Sequence, residues 1–330
     1  MPDTINNLGK IRRIQQLATE EGHFTLCAMD HRGSMRQMLS PEAPEQVSND
    51  ELTNFKIDLC RALASESSGV LIDPEYGAPN VILRKALPGR VGLLVSLEST
   101  DYAGDKYNRV AQILPGWEPD KIASMGASGA KLLIYYRPDV ESVAEAQRKI
   151  VSSMVEKCRA AGIPLIVEAV AYLTQEEEAD PELFYARKPQ LVIESARQLH
   201  SLGPDVLKLE FPLHEDLPWD EDAGLQACKE IDKAAGSPWV LLSRGVPYDV
   251  FEKQIKVACL AGASGFLGGR AIWQEAAEIA NSEQRYVFLT TVAVERMKTL
   301  SSIVKQYARP WYEKVSVPQE TLPPDWYKQG

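Results

Sequence analysis

The chain predicts an α/β fold, a closed (β/α)₈ barrel, and three observations carry that prediction. Short apolar runs bounded by turn residues recur eight times along the 330 residues. Amphipathic stretches of helical spacing lie between many of them, as a parallel sheet wrapped by right-handed crossovers requires. No G-x-G-x-x-G follows the first run, which disfavours the open doubly wound sheet. The later glycine clusters fall at the seventh and eighth runs instead.

Taken in order, residues 6–22 read as an extra N-terminal helix that closes the bottom of the barrel. The strand-like runs follow at 23–30, 69–75, 91–98, 129–136, 164–172, 205–212, 239–245 and 265–270. Helical patterns occupy 50–67, 140–161, 188–202, Glu221–Ala235 and Tyr248–Ala261. Two of these end in Ala160-Ala161-Gly162 and Ala261-Gly262-Ala263, where glycine supplies the left-handed turn that stops a helix. The acidic stretch 174–189 reads as a solvated loop on the rim after the fifth strand. A long helix at 282–308 and a tail carrying Trp311, Tyr312, Trp326 and Tyr327 complete the chain, the tail packed on its own or a neighbouring subunit. The expected organisation is a single TIM-barrel domain over 1–330, with the core at about 22–282 and the C-terminal helix plus tail at 283–330.

Composition sets the outer bounds. With 45% hydrophobic and 25% charged residues the chain has the balance of a globular protein, and its net charge of -10 argues against nucleic-acid or acidic-membrane partners. No apolar stretch reaches the roughly 18 residues that span a bilayer, and the start lacks the basic and apolar regions of a signal peptide. A cytoplasmic location is expected. Cys27, Cys60, Cys158, Cys228 and Cys259 are odd in number and scattered, so they read as reduced core residues rather than disulfides or zinc ligands.

The chemistry-bearing residues sit in the strand-like runs. In Asp205-Val206-Leu207-Lys208-Leu209-Glu210-Phe211-Pro212, alternation puts Val206, Lys208 and Glu210 on one face. Burial disfavours the charged form of lysine, and lowering its pKa to about 7–8 frees an amine that can attack a carbonyl. The alternative is a lysine that pairs with Glu210 or reaches water from a strand end. Lys131 lies in the fourth run, Glu168 in the fifth, and the first ends Asp30-His31-Arg32-Gly33. Loops after the strands build the site of such barrels, so two lysines and two carboxylates converge on one interior. The seventh and eighth runs end Ser243-Arg244-Gly245 and Gly268-Gly269-Arg270, where glycine backbone, hydroxyl and guanidinium suit a phosphate.

These segments carry a resemblance. Residues 28–34, Leu71-Ile72-Asp73-Pro74-Glu75-Tyr76-Gly77, 130–136, 205–212 and Gly268-Gly269-Arg270-Ala271-Ile272-Trp273 resemble the class I tagatose 1,6-bisphosphate aldolase family, in order over roughly 10–310. The resemblance implies a barrel that cleaves a ketose 1,6-bisphosphate to dihydroxyacetone phosphate and glyceraldehyde 3-phosphate without a metal or other cofactor. It implies Lys208 as the Schiff-base lysine and Glu168 as the acid/base group, with Asp30 and Lys131 beside the substrate. Ser243, Gly245, Gly269 and Arg270 would hold the C1 phosphate. Arg244 or Arg32 would meet the distal anion, with His31 also at the substrate. His31 stands where the family usually has glutamine, and Ser243-Arg244-Gly245 replaces Ser-Ala-Gly or Ser-Ser-Gly. The stretch 239–267 is also similar to sulfofructose-phosphate aldolases, so both departures bear on the sugar. A small phosphorylated sugar and a homo-oligomer are the expected partners. The rival readings are a metal-dependent aldolase, a non-catalytic sugar-phosphate sensor, and a barrel isomerase or decarboxylase; four scattered histidines disfavour the first.

Overall fold

The computed structural model describes residues 4–315 and Pro324. Eight parallel strands close a barrel: β1 (Phe24–Ala28), β2 (Gly69–Ile72), β3 (Gly92–Ser96), β6 (Gly129–Tyr135), β7 (Leu165–Val170), β8 (Val206–Leu209), β9 (Trp239–Leu242) and β10 (Gly265–Gly268), with β10 pairing back onto β1. Every one falls inside a run that the sequence predicts. Between β3 and β6 rises an antiparallel hairpin that the periodicity does not announce, β4 (Glu98–Ala103) with β5 (Val110–Ile113).

Strand alternation sorts the side chains as the sequence requires. Val206 joins Leu71, Leu94, Ile166, Val240 and Leu267 inside the barrel, while Leu207 and Leu209 pack in the shell between strands and helices. Lys208 therefore points inward, above Val206. The N-terminal helix Thr4–Leu17 plugs the opposite end, with Ile14 and Leu17 in the interior cluster. Gly92 has no room for a side chain there, because a Cβ would lie 2.4 Å from the carbonyl oxygen of Gln16. Trp311 of the tail packs in the same cluster and donates its backbone N–H to the Gly22 carbonyl at 2.9 Å, so this part of the tail lies on its own chain. Trp326 and Tyr327 fall outside the described residues.

Helices Glu221–Ala235 and Tyr248–Ala261 have the predicted bounds, and each ends at a left-handed glycine, Gly236 or Gly262. The expected loop at 174–189 is instead helical, as Gln175–Ala179 followed by Pro181–His200. The local signals were present: Thr174 and Glu177 form a capping box, and Pro181 occupies the first turn of the next helix. Glu177 is not solvated either, since it pairs with Arg137, and both side chains are fully buried. The helix expected over 282–308 is divided into Ser282–Phe288 and Val294–Tyr307 by a π-turn at Leu289–Ala293. Among the described residues no helix is long and apolar enough to cross a membrane. The five cysteines are buried and unpaired.

Candidate active site

At the C-terminal ends of the strands a cavity of about 400 Å³ opens over the barrel. Ten of the eleven residues singled out in the sequence line it: Asp30, His31, Arg32, Lys131, Glu168, Lys208, Ser243, Arg244, Gly269 and Arg270. Gly245 is not among the lining residues. It holds a left-handed turn (φ +89°) against Arg270, whose Cζ would lie 3.0 Å from a Cβ there.

The centre is a chain of alternating charge. Lys208 Nζ stands 2.8 Å from Glu168 Oε1, and Glu168 Oε2 stands 2.9 Å from Lys131 Nζ. Lys131 also contacts Asp30 Oδ2 at 2.9 Å and Glu98 Oε1 at 2.7 Å. Lys208 and Glu168 face one another because their strands are in register, β7 residue 168 beside β8 residue 208. Lys208 is not paired with Glu210, which instead takes Arg244 and the backbone N–H of Ala171. A carboxylate thus lies between the two lysines, so their mutual repulsion acts across a shared counter-ion.

Electrostatics separate the roles available to these groups. Burial disfavours the Lys131 ammonium, but Asp30, Glu168 and Glu98 outweigh it and hold Lys131 well above the ordinary lysine range. Asp30 is likewise drawn well below a normal carboxyl: burial opposes its charge, and Lys131, His31 and Lys208 overcome it. Glu168 follows for the same reason, with Lys131 the stronger of its two cations. His31 falls to about 3 because burial and the cations Arg270, Lys56 and Lys208 outweigh Asp30, so its imidazole is neutral. Its edge meets Trp273, with ring centroids 5.4 Å apart.

Two residues that sequence reasoning passed over complete the arrangement. Glu98, at the start of β4, is fixed by the Leu133 N–H at 3.1 Å and supplies the third carboxylate around Lys131. It closed the third predicted run, so a strand-end carboxylate was the available signal. Lys56, from helix Asn49–Leu63, is fully buried, pairs with Asp73 at 2.6 Å and donates to the carbonyls of Met29 and His31. It pins the loop that carries Asp30, and its signal was a lysine between Phe55 and Ile57 on an apolar helix.

The arginines differ in how far they are already engaged. Arg32 is held by Glu75 at 2.6 Å and donates to the Glu98 carbonyl at 2.6 Å, which braces the hairpin base. Arg244 adopts a left-handed backbone (φ 51°) and pairs with Glu210. Arg270 donates to the Arg244 carbonyl at 2.9 Å. Among the described residues no carboxylate comes within ion-pair reach of Arg270, and burial pulls its pKa below that of a free guanidinium. A half-buried cation of this kind beside Ser243 and the Gly269 backbone suits an incoming anion.

The model of the DeoC/LacD family aldolase matches residues 24–275. The chain is 27% identical over 322 residues to a tagatose 1,6-diphosphate aldolase of Staphylococcus aureus strain JH9, covering 92% of this chain and 98% of that protein. Among solved structures it is similar to a Schiff-base-forming fructose-1,6-bisphosphate aldolase, with a TM-score of 0.60 and 18% identity over 89% of this chain and 99% of that one. It is also similar to the fructose-bisphosphate aldolase of Plasmodium falciparum, with a TM-score of 0.69 and 13% identity over 93% and 96%. The structural likenesses establish the shared barrel. The family match runs from the first strand past the last, and on that ground the chain belongs to the DeoC/LacD family of aldolases.

Proposed function

We propose that this aldolase works through a Schiff base on Lys208 and cleaves a ketose 1,6-bisphosphate, with tagatose 1,6-bisphosphate as the preferred sugar. The observation that carries the choice of lysine is the unequal pairing of the two buried amines. Lys131 is ringed by three carboxylates that keep its proton, while Lys208 has one, and that one is shared.

In this reading Lys208 Nζ gives a proton to Glu168 Oε1 and attacks the C2 carbonyl, and the ammonium so formed passes a second proton to the C2 oxygen to give the carbinolamine. Glu168 returns the proton to the C2 hydroxyl, which leaves as water, and the iminium remains. A carboxylate, Asp30 or Glu168, then takes the proton of the C4 hydroxyl. The C3–C4 electron pair moves into the iminium, glyceraldehyde 3-phosphate departs, and an enamine is left on Lys208. Protonation at C3 and addition of water release dihydroxyacetone phosphate and restore the amine. Lys131 remains cationic throughout and keeps Asp30 and Glu168 ionised for proton uptake. Ser243, Gly269 and Arg270 hold the C1 phosphate, with His31 as a neutral contact to the sugar.

Borohydride reduction in the presence of tagatose, fructose and sulfofructose phosphates tests this directly. Peptide mapping should find the sugar on Lys208, and Lys208→Met should lose the adduct together with roughly 10⁴-fold or more in kcat/KM. Turnover by the Lys208→Met enzyme at parental rates would end the proposal, and relative rates on the three sugars identify the substrate.

A further inference from the structure

We infer that a recess on the rim beside the Lys208 cavity is a second oxyanion subsite, in which Arg109 and Tyr172 take the distal phosphate or sulfonate of the sugar. The inference rests on the aldolase reading for its ligand, a ketose carrying an anionic group at each end.

The recess is about 370 Å³ and is lined by Lys106, Arg109, Tyr172, Glu178 and neighbours. It shares Tyr135, Val170, Arg244 and Arg270 with the Lys208 cavity, so one extended ligand can occupy both. Four cations and one carboxylate line it, which makes it an anion site by charge. Most of those cations are already engaged. Lys106 takes both oxygens of Glu178 at 2.7 Å, and Arg244 takes Glu210. Arg270 borders the other cavity, where the C1 phosphate is placed.

Arg109 is different. Its guanidinium lies 4.6 Å from the ring of Tyr135 and 6.0 Å from that of Tyr102, and among the described residues no carboxylate is paired with it. The two tyrosine rings, themselves 5.0 Å apart, hold the guanidinium from one side by cation–π contact and leave its N–H fork unspent for a bidentate oxyanion. Tyr172 supplies an independent sign. Its side chain is 5% exposed and its hydroxyl is buried with no hydrogen-bond partner, a costly state unless a ligand completes it. Burial raises the phenol pKa, so the hydroxyl remains a donor. The hairpin β4–β5 that brings Arg109 to the rim thereby sets specificity for doubly anionic sugars.

Hexitols cannot form an iminium, so their binding tests the subsite apart from the chemistry. Calorimetry on the full chain compares hexitol 1,6-bisphosphate, 6-deoxy-6-sulfohexitol 1-phosphate and hexitol 1-phosphate. Arg109→Gln should cut the preference for a doubly anionic hexitol over the 1-phosphate by about tenfold or more, and Arg109→Lys should recover part of it. The larger of the two doubly anionic losses identifies phosphate or sulfonate. Tyr172→Phe should also lower the preference while leaving thermal stability equal or higher, because it deletes an unsatisfied group; a merely structural tyrosine would lose stability and keep the ratio. A preference within about twofold of the parent in both variants overturns the subsite. Failure of borohydride to trap any ketose on Lys208 would instead remove the aldolase mechanism, whatever the hexitol ratios.

Discussion

Lys131 and Lys208 show how little the residue type decides by itself. Both are lysines in apolar strands and both are almost fully buried. What separates them is the number of carboxylates within 3 Å, three for Lys131 and one for Lys208. Glu98→Gln should therefore lower the pKa of Lys131 by about one unit or more, and the alkaline loss of kcat should begin at a lower pH than in the parent enzyme. An unchanged pH–rate profile would show that Glu98 does not hold that proton. His31 makes a second prediction. Its pKa of about 3 in the folded chain lies below the ordinary 6.5, so on acidification the unfolded chain binds the proton first. Stability is then lost as pH falls from about 6.5 towards 3. Urea unfolding at a series of pH values should show His31→Gln losing up to about 1.4 kcal/mol per pH unit of that slope. At this scale the sequence exposed Lys208, Glu168, Asp30 and Lys131 because charge inside an apolar strand is conspicuous. It marked Glu98 and Lys56 only as charges at a strand end and on an apolar helix, since their partners Lys131 and Asp73 lie 33 and 17 positions away along the chain.

Among the elements, the stretch after β7 is the clearest case of local signals outvoted by composition. Gln175-Glu176-Glu177-Glu178 is acidic enough to read as solvated, yet Thr174 caps it and Glu177 turns inward onto Arg137. Arg137 is held further by Asp139 at 2.7 Å and by the Tyr172 carbonyl at 2.7 Å. Because removing one member leaves an uncompensated buried charge, Arg137→Met should cost about 3–5 kcal/mol in denaturant unfolding. A change below about 1 kcal/mol would place the pair in the exposed class instead. The hairpin β4–β5 was illegible for another reason. Its strands pair only with each other and leave β5 half solvated, with Ala111 buried between partly exposed neighbours, so neither an apolar run nor a clean alternation marks it.

The whole molecule divides its labour between two ends. Charged groups gather where the strands finish, while Ile14, Leu17 and Trp311 seal the end where they begin. Trp311→Ala should accordingly cost about 3–5 kcal/mol of stability, read from a shift in the denaturation midpoint, with kcat of the folded enzyme at the parental value. A lowered kcat would mean that the two ends are coupled. The amino-acid sequence alone pointed to the barrel, because eight near-continuous apolar runs separated by helical faces make a parallel sheet covered by helices, and their number together with the missing G-x-G-x-x-G favours closure over an open sheet. It also determined which charged side chains enter the interior, since alternation along a strand is a local property. Only the tertiary structure decided which lysine is ringed by carboxylates and which arginines are already spent on internal partners. Those properties depend on distances between side chains far apart in sequence, and Coulomb interactions in a buried site change with every ångström.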